Sequence, residues 1–338
     1  VLIVGVALAL EPAPKPKVEW LANAGAQIDA EGHGDVNLGV RSGDWTFVLR
    51  TDAPELTWGP SGERSRGWIT ARGHGFAAQM FISPWKDGAP TTGSFNLASA
   101  GIEGGWIGYG PASVYFGARG SFDGLFPYGE AVSGVPRAVG TVDLLVGRWT
   151  PALRGWVRAG VDVATTDGDA IRSPHVHGEV VWLPDPQVGS VVIGPRVEVR
   201  AGAAEGQDDL LRSRLGGLNP WVVPLAGAAW AEWWVEDYAA ARLGGTVGLG
   251  QAGAKQLGFR VSPFADVATF DGDAAVGLGV GARAWRGRLY ADVTGGYAPW
   301  IQRQPGITRA SIWFSLGWDW GTAAGPSEKD PPGPGEWP

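Results

Sequence analysis

The stretch that most constrains this chain is 306–320, GITRASIWFSLGWDW. Read in twos, Ala310, Ile312, Phe314, Leu316, Trp318 and Trp320 fall on one side, and Arg309, Ser311, Trp313, Ser315, Gly317 and Asp319 on the other. A β-strand sends successive side chains to opposite faces, so one face is apolar and ends in aromatics while the other is small, polar and charged. A soluble sandwich also alternates, but its water-facing side rarely needs so many Gly, Ser and Ala. The pattern suits a strand with lipid on one side and a wet lumen on the other.

Composition narrows the choice. Of 338 residues, 55 are Gly, 19 are Trp and none is Cys. Gly in a helix costs roughly 1 kcal/mol against Ala, so a helical core is disfavoured. Trp at this density favours membrane interfaces, where its ring is half wet. No window approaches the ~20 apolar residues of a spanning helix. A formal net charge of −7 argues against nucleic acid, which wants a basic patch. Without Cys there is no disulfide, thiol catalysis or Cys-based metal site.

Alternation recurs along the chain. Val18, Trp20, Ala22, Ala24, Ala26 and Ile28 oppose Glu19, Asn23, Gln27 and Asp29. Val157, Ala159, Val161 and Val163 oppose Arg158 and Asp162; Val197 and Val199 oppose Arg196, Glu198 and Arg200. Leu257, Phe259, Val261 and Val267 oppose Arg260, Ser262 and Asp266. A propeller would repeat at ~40–50 residues, and no such repeat is found. The expected fold is all-β, a transmembrane antiparallel up-and-down β-barrel of about 16 strands, within about 12 to 18. The phase of the alternation breaks at 67–94 and again at 205–220, where a strand is split, merged or missed.

The final strand also resembles the C-terminal strand of Gram-negative outer-membrane β-barrels, which ends on an aromatic after alternating apolar positions. The chain as a whole is similar to Gram-negative barrel proteins over about Val18–Trp320, which implies a porin-like barrel in the outer membrane, with Trp girdles. Its surroundings would be the lipid bilayer and lipopolysaccharide, with small hydrophilic solutes and envelope proteins as possible partners. The run 1–9 has a small-x-small end at Ala7-Leu8-Ala9 and reads as the remnant of a signal peptide, or alternatively as a first buried strand. Residues 10–17 are a Pro-rich spacer, 18–320 the barrel, and 321–338 a Pro/Gly-rich tail expected to be disordered.

Charges on the polar faces must point inwards, because Arg or Lys in lipid at the midplane costs roughly 2–4 kcal/mol. The expected lumen-lining set is Arg50, Arg72, Arg119, Arg158, Asp162, Arg196, Glu198, Arg200, Arg260, Asp266, Arg283 and Asp292. They either brace a narrow barrel as ion pairs or form a charged pore wall that steers solutes. Segment 208–235 is the least regular. Arg212, Arg214 and Asn219 mark a candidate constriction loop that folds into the lumen. Alternatively it is a long outer loop whose Trp221, Trp230, Trp233 and Trp234 join the interfacial belt. Its turn also resembles glycine-rich segments of larger export-type barrels. The departure from that resemblance is that no periplasmic repeat domain is read before Val18, so assembly or secretion is not the expectation.

His175, His177 and Glu179 share a strand face and are the only candidate metal ligands, with no fourth to complete a site. No cofactor is implied. Ser173 lies two residues from His175 and raises a lipid hydrolase, and Asp167, Asp169 and His175 are loosely comparable to an omptin-like protease. The expected function is a passive pore or a structural barrel, not an enzyme. The alternatives are an outer-membrane hydrolase or protease, and a partner-binding barrel of an envelope complex.

Overall fold

The computed structural model describes residues 18–28, 33–42, 45–53, 57–58, 61–64, 67–74, 78–86, 89–128, 135–150, 152–166, 169–182, 187–188, 191–218, 223–229, 232–249, 257–287, 289–301 and 308–319. Over 18–99 it describes the backbone, with Leu38 and Val40 as the side chains included. The expected signal remnant, the spacer and the tail lie outside the described residues.

The first strands are β1 (Val18–Ile28), β2 (His33–Ser42), β3 (Trp45–Ala53), β4 (Thr57–Trp58), β5 (Ser61–Arg64), β6 (Gly67–His74) and β7 (Ala78–Lys86). Next come β8 (Ala89–Tyr109), β9 (Val114–Tyr128), β10 (Arg137–Trp149), β11 (Leu153–Thr166), β12 (Asp169–Trp182), β13 (Gln187–Val188) and β14 (Val191–Ala204). Two short strands, β15 (Ser213–Leu215) and β16 (Trp233–Val235), form a separate ribbon. The last five are β17 (Tyr238–Leu249), β18 (Leu257–Phe270), β19 (Asp273–Arg286), β20 (Leu289–Trp300) and β21 (Ala310–Asp319).

From β8 to β12 each strand pairs antiparallel with the next; β12 then pairs with β14, β14 with β17, and the meander continues to β21. The last strand returns to the first, from Leu21↔Asp319 to Ile28↔Ile312, while β1 also pairs with β2 and β2 with β3. β3 lies beside β4 and β5, and both of these run along β6. The sheet thus curls round until its first and last strands meet. β6 and β7 lie end to end along the 21-residue β8, so the early phase break marks one long strand interrupted between His74 and Ala78.

The two rims differ. One carries tight turns, such as Pro111–Ser113 and the turn in which Thr150 N–H donates to Leu153 O at 2.9 Å. The other carries the longest connection, 205–237, between β14 and β17.

Facing follows the alternation. Val142 and Leu144 are each 64 % exposed on β10, and between them Asp143 is fully buried. Phe314 and Leu316 point out on β21, and Ser311 points in. So many exposed Val, Leu and Phe among the described strands would be unstable in water, and they are what a lipid-facing wall requires. Among the described residues no helix is long and apolar enough to cross a membrane. The buried apolar clusters lie inside the barrel, where wall residues meet residues of 205–237.

Candidate functional site: a loop seated in the lumen

The connection 205–237 is a folded unit. It opens on Asp208, whose Oδ1 accepts the N–H of Leu210 at 3.0 Å and caps a single 3-10 turn. Ser213–Leu215 then pairs with Trp233–Val235, and Gly216 turns the chain at φ +115°, a region that favours glycine. Beyond it Gly216 N–H donates to Val223 O and Leu225 N–H to Gly217 O, each at 3.0 Å. This compact ribbon is the plug.

The plug touches opposite walls. On one side Leu210 and Trp234 pack with Leu125, Val139 and Ala164 of β9, β10 and β11. On the other, Leu215, Val223, Leu225, Ala228, Trp233 and Val235 pack with Ala268, Phe270, Ala275 and Ala298 of β18 to β20. Leu218 and Ala226 reach Trp313 on β21. The plug therefore spans the interior on the long-loop side.

Polar contacts fix it in register. Ala226 N–H donates to Asp266 Oδ2 at 2.8 Å, and Gly227 N–H to Ser311 Oγ at 3.1 Å. Arg242 grips the same Asp266 through Nε and Nη2 at 2.7 and 2.9 Å. At the root, Arg137 Nε donates to Asp208 at 2.7 Å and Gln207 Nε2 to Asp162 at 3.3 Å. The seat is built from small residues: a Cβ on Gly296 would lie 2.8 Å from both Ala226 Cβ and Gly227 N. Gly227 sits at φ +78°, where a side chain would also run into the β20 backbone. β20 bulges at this point, its register against β19 shifting between Val276 and Leu278, and Ala298 N–H donates instead to Arg309 O.

Most of the described inward charges are paired, either across strands or along one. Glu198, Arg242 and Asp266 are successive register partners on β14, β17 and β18. Arg196 and Arg200 contact Glu198 at 3.1 and 2.9 Å, and Arg200 also reaches Glu179 at 3.4 Å. Arg283 lies 3.5 Å from Asp292 and 4.4 Å over the Tyr290 ring, and Arg260 lies 5.9 Å over Trp285. Arg119 donates through Nε to Asp143 at 3.0 Å. All the expected lumen residues with described side chains lie on the face away from the exposed apolar row. Arg50 and Arg72 are described only by backbone register, opposite Asn37 and Gly101.

Of the candidate constriction residues, Arg212 faces Glu236 at 3.4 Å and Arg214 stacks 4.6 Å over Trp234. Asn219, Trp221 and Trp230 lie outside the described residues. Trp233 and Trp234 correct the belt expectation: they are 1 % and 5 % exposed, inside the plug. Alternation could not reveal this, because a folded loop has no period.

His175 is held between two carboxylates, with Nε2 2.7 Å from Asp143 Oδ1 and Nδ1 3.0 Å from Asp162 Oδ2. Neither ring nitrogen faces Ser173, so the pair lacks the contact that would activate a serine. His177 tilts against His175 and Tyr238, and Glu179 turns to Arg200. Among the described residues no group of three or more His, Asp or Glu could hold a metal ion. Sequence reading overlooked Asp143, Arg137 and Arg242. Asp143 was within reach, since it sits between two exposed apolar residues on a strand that alternates.

A closed antiparallel sheet with an apolar outer band and a polar inner wall is the architecture of bacterial outer-membrane β-barrels, and this chain belongs to that class of fold. No family model matches the sequence, and no curated protein does. Solved structures match in fold. CdiB from Escherichia coli aligns with a TM-score of 0.63 at 11 % identity, over 89 % of this chain and 63 % of its own. CdiB from Acinetobacter baumannii aligns at 0.57 and 12 % identity, over 90 % and 60 %. BamA from Haemophilus ducreyi lacking POTRA domains 1-3 aligns at 0.50 and 11 %, over 90 % and 70 %. The chain spans less than two thirds of the length of the CdiB chains it resembles.

Proposed function

We propose that the chain is a plugged outer-membrane conduit of the Omp85/TpsB transporter type, in which the 205–237 loop narrows the lumen at rest and must shift for anything to pass. One observation carries this reading: the loop bridges the β9–β11 wall and the β18–β21 wall from inside. An open porin-like pore would leave that span to water. The likeness to CdiB and BamA supports the transporter type, at the level of fold.

In this reading β4 and β5 are one interrupted stave, β6 carries β7 as its outward continuation, and β13 is an appendage of β14. The barrel then has 16 staves, with the plug after the eleventh. The inward Arg and Asp/Glu ladder chiefly braces the wall, since Arg119, Arg158, Arg196, Arg200, Arg242 and Arg283 each lie within ion-pair distance of a wall carboxylate, while Arg260 stacks over Trp285. Envelope proteins are the expected partners, and no catalytic step is assigned to Ser173 or His175.

The test is conductance of the purified chain in a planar bilayer beside a variant in which residues 209–235 are replaced by a short Gly/Ser linker. Small or absent steps for the natural chain and large, salt-scaling steps for the variant are expected. Equal conductance of the two would sink the reading.

A further inference from the structure

We infer that Arg148 and Arg286, at the short-turn rim of the barrel, each hold the headgroup phosphate of an anionic phospholipid against the outer wall. From β8 to β21 the outward rows of the barrel strands are apolar or small, and three charged residues interrupt them: Arg148 on β10, Arg172 on β12 and Arg286 on β19. All three are exposed, and each lies near an end of its strand. No carboxylate shares the outward rows of these strands. The inward wall arginines meet carboxylates or rings, as Arg242 meets Asp266 and Arg260 meets Trp285. None of the three outward guanidiniums has an ion pair or hydrogen bond among the described residues.

The two short-turn arginines have apolar surface beside them. In register, Arg286 lies between Leu257 on β18 and Leu289 on β20, both exposed. Next to Arg148, towards the middle of the band, come Val146 and its register partner Phe116, also exposed, with the Trp106 ring 5.5 Å from that of Phe116. A guanidinium at the edge of such a surface sits where a phospholipid places its phosphate above its acyl chains, and its planar fork suits two phosphate oxygens. In outer-membrane barrels the short turns face the periplasm, so this rim lies in the periplasmic leaflet. Charge selects among phospholipids there. A zwitterionic headgroup brings an ammonium for which the outward rows hold no carboxylate, while a net-negative one such as phosphatidylglycerol brings only the charge that the arginines complement.

The test is native mass spectrometry of the whole folded chain, released from detergent micelles holding phosphatidylglycerol and phosphatidylcholine of the same acyl chains in equal amounts. Phosphatidylglycerol should be retained over phosphatidylcholine by about fivefold for each arginine, the preference that roughly 1 kcal/mol per basic residue at an anionic surface gives. R148Q/R286Q should hold two fewer phosphatidylglycerol molecules than the natural chain, and R148K/R286K should keep most of them. R283Q, whose arginine faces the lumen from the same strand as Arg286, should match the natural chain. Phosphate added to the buffer should not displace the lipid, since a free ion has no acyl chains to lay on Leu257 and Leu289. Equal retention of the two lipids by the natural chain, undiminished phosphatidylglycerol in R148Q/R286Q, or displacement by free phosphate would overturn the proposal. Should the double variant fail to fold, R148Q and R286Q singly, each expected to lose one molecule, carry the comparison.

Discussion

Asp266 on β18 accepts the backbone N–H of Ala226 at 2.8 Å while the guanidinium of Arg242 on β17 holds the same carboxylate. A wall charge thus serves the barrel and the plug at once. Asp266 is 1 % exposed, so its hydrogen bonds are made away from water and are costly to lose. Replacing it by Asn removes the charge from both contacts and should cost roughly 1.5–3 kcal/mol. D266N should still insert as a folded barrel, with a lower denaturation midpoint in detergent and severalfold more frequent channel openings than the natural chain. A quiet channel with an unchanged midpoint would mean that this contact does not hold the plug.

The same seat can be attacked sterically without touching a charge. A valine at Gly296 brings its Cβ to 2.8 Å from the plug backbone, so the plug must move away from β20. Overpacking of this kind costs about 1–3 kcal/mol, mostly here at the plug rather than the wall. G296V should therefore open the channel as D266N does. Matching conductance from two chemically unrelated changes would argue for one plug movement; a silent G296V would argue for a plug that yields without leaving.

Facing was legible because lipid demands apolar side chains at every second position, and residues such as Val161 and Leu316 obey it strand after strand. Partnering was not. Asp143 contacts Arg119 24 residues away, and Arg137 contacts Asp208 71 residues away, so those pairs exist only once the register is known. The plug was legible only as an irregularity. Its Trp233 and Trp234 invite an interfacial reading, and it takes the buried contacts to Phe270 and Leu125 clusters to reverse it. Glycine was similarly opaque: its abundance excluded helices but did not say which inward glycines lie beneath aromatic rings.

Facing has a direct test on β11, where neighbouring positions carry opposite demands. Val161 is 41 % exposed on the lipid side and Arg158 lies inside. An arginine at Val161 should cost about 2–4 kcal/mol near the bilayer midplane, whereas R158A removes a charge from a polar interior. Folding yield into liposomes should fall sharply for V161R and little for R158A. Equal yields would contradict the facing of this strand.

His175 offers a separation of structure from chemistry. Removing the imidazole takes one partner from Asp143, which keeps Arg119, and one from Asp162, which keeps Thr141 and Gln207, so the loss is that of hydrogen bonds to charged groups, about 1.5–3 kcal/mol. H175F should therefore lower the denaturation midpoint markedly, while S173A, which loses only a hydroxyl, should leave it nearly unchanged. Any esterase or protease activity of the preparation should be the same in S173A as in the natural chain. Activity abolished by S173A with stability intact would revive the hydrolase reading.

Tyr290 on β20 lies over Gly317 on β21, and Trp285 on β19 lies over Gly258 on β18, so inward rings fill the space that neighbouring side chains would need. At Gly317 a Cβ would run into the Tyr290 ring. G317L should destabilise the barrel by about 1–3 kcal/mol through overpacking. Truncating the ring should relieve that clash, so the double variant G317L/Y290A should lose less than the sum of its single changes, with a coupling of about 0.5–3 kcal/mol. Urea denaturation of the four proteins in detergent gives the cycle. Strict additivity would show that the ring moves aside freely and that glycine is not required there. A clear coupling would make the ring over glycine a lock between the last two strands, and would explain why an inward position so near the rim carries no side chain.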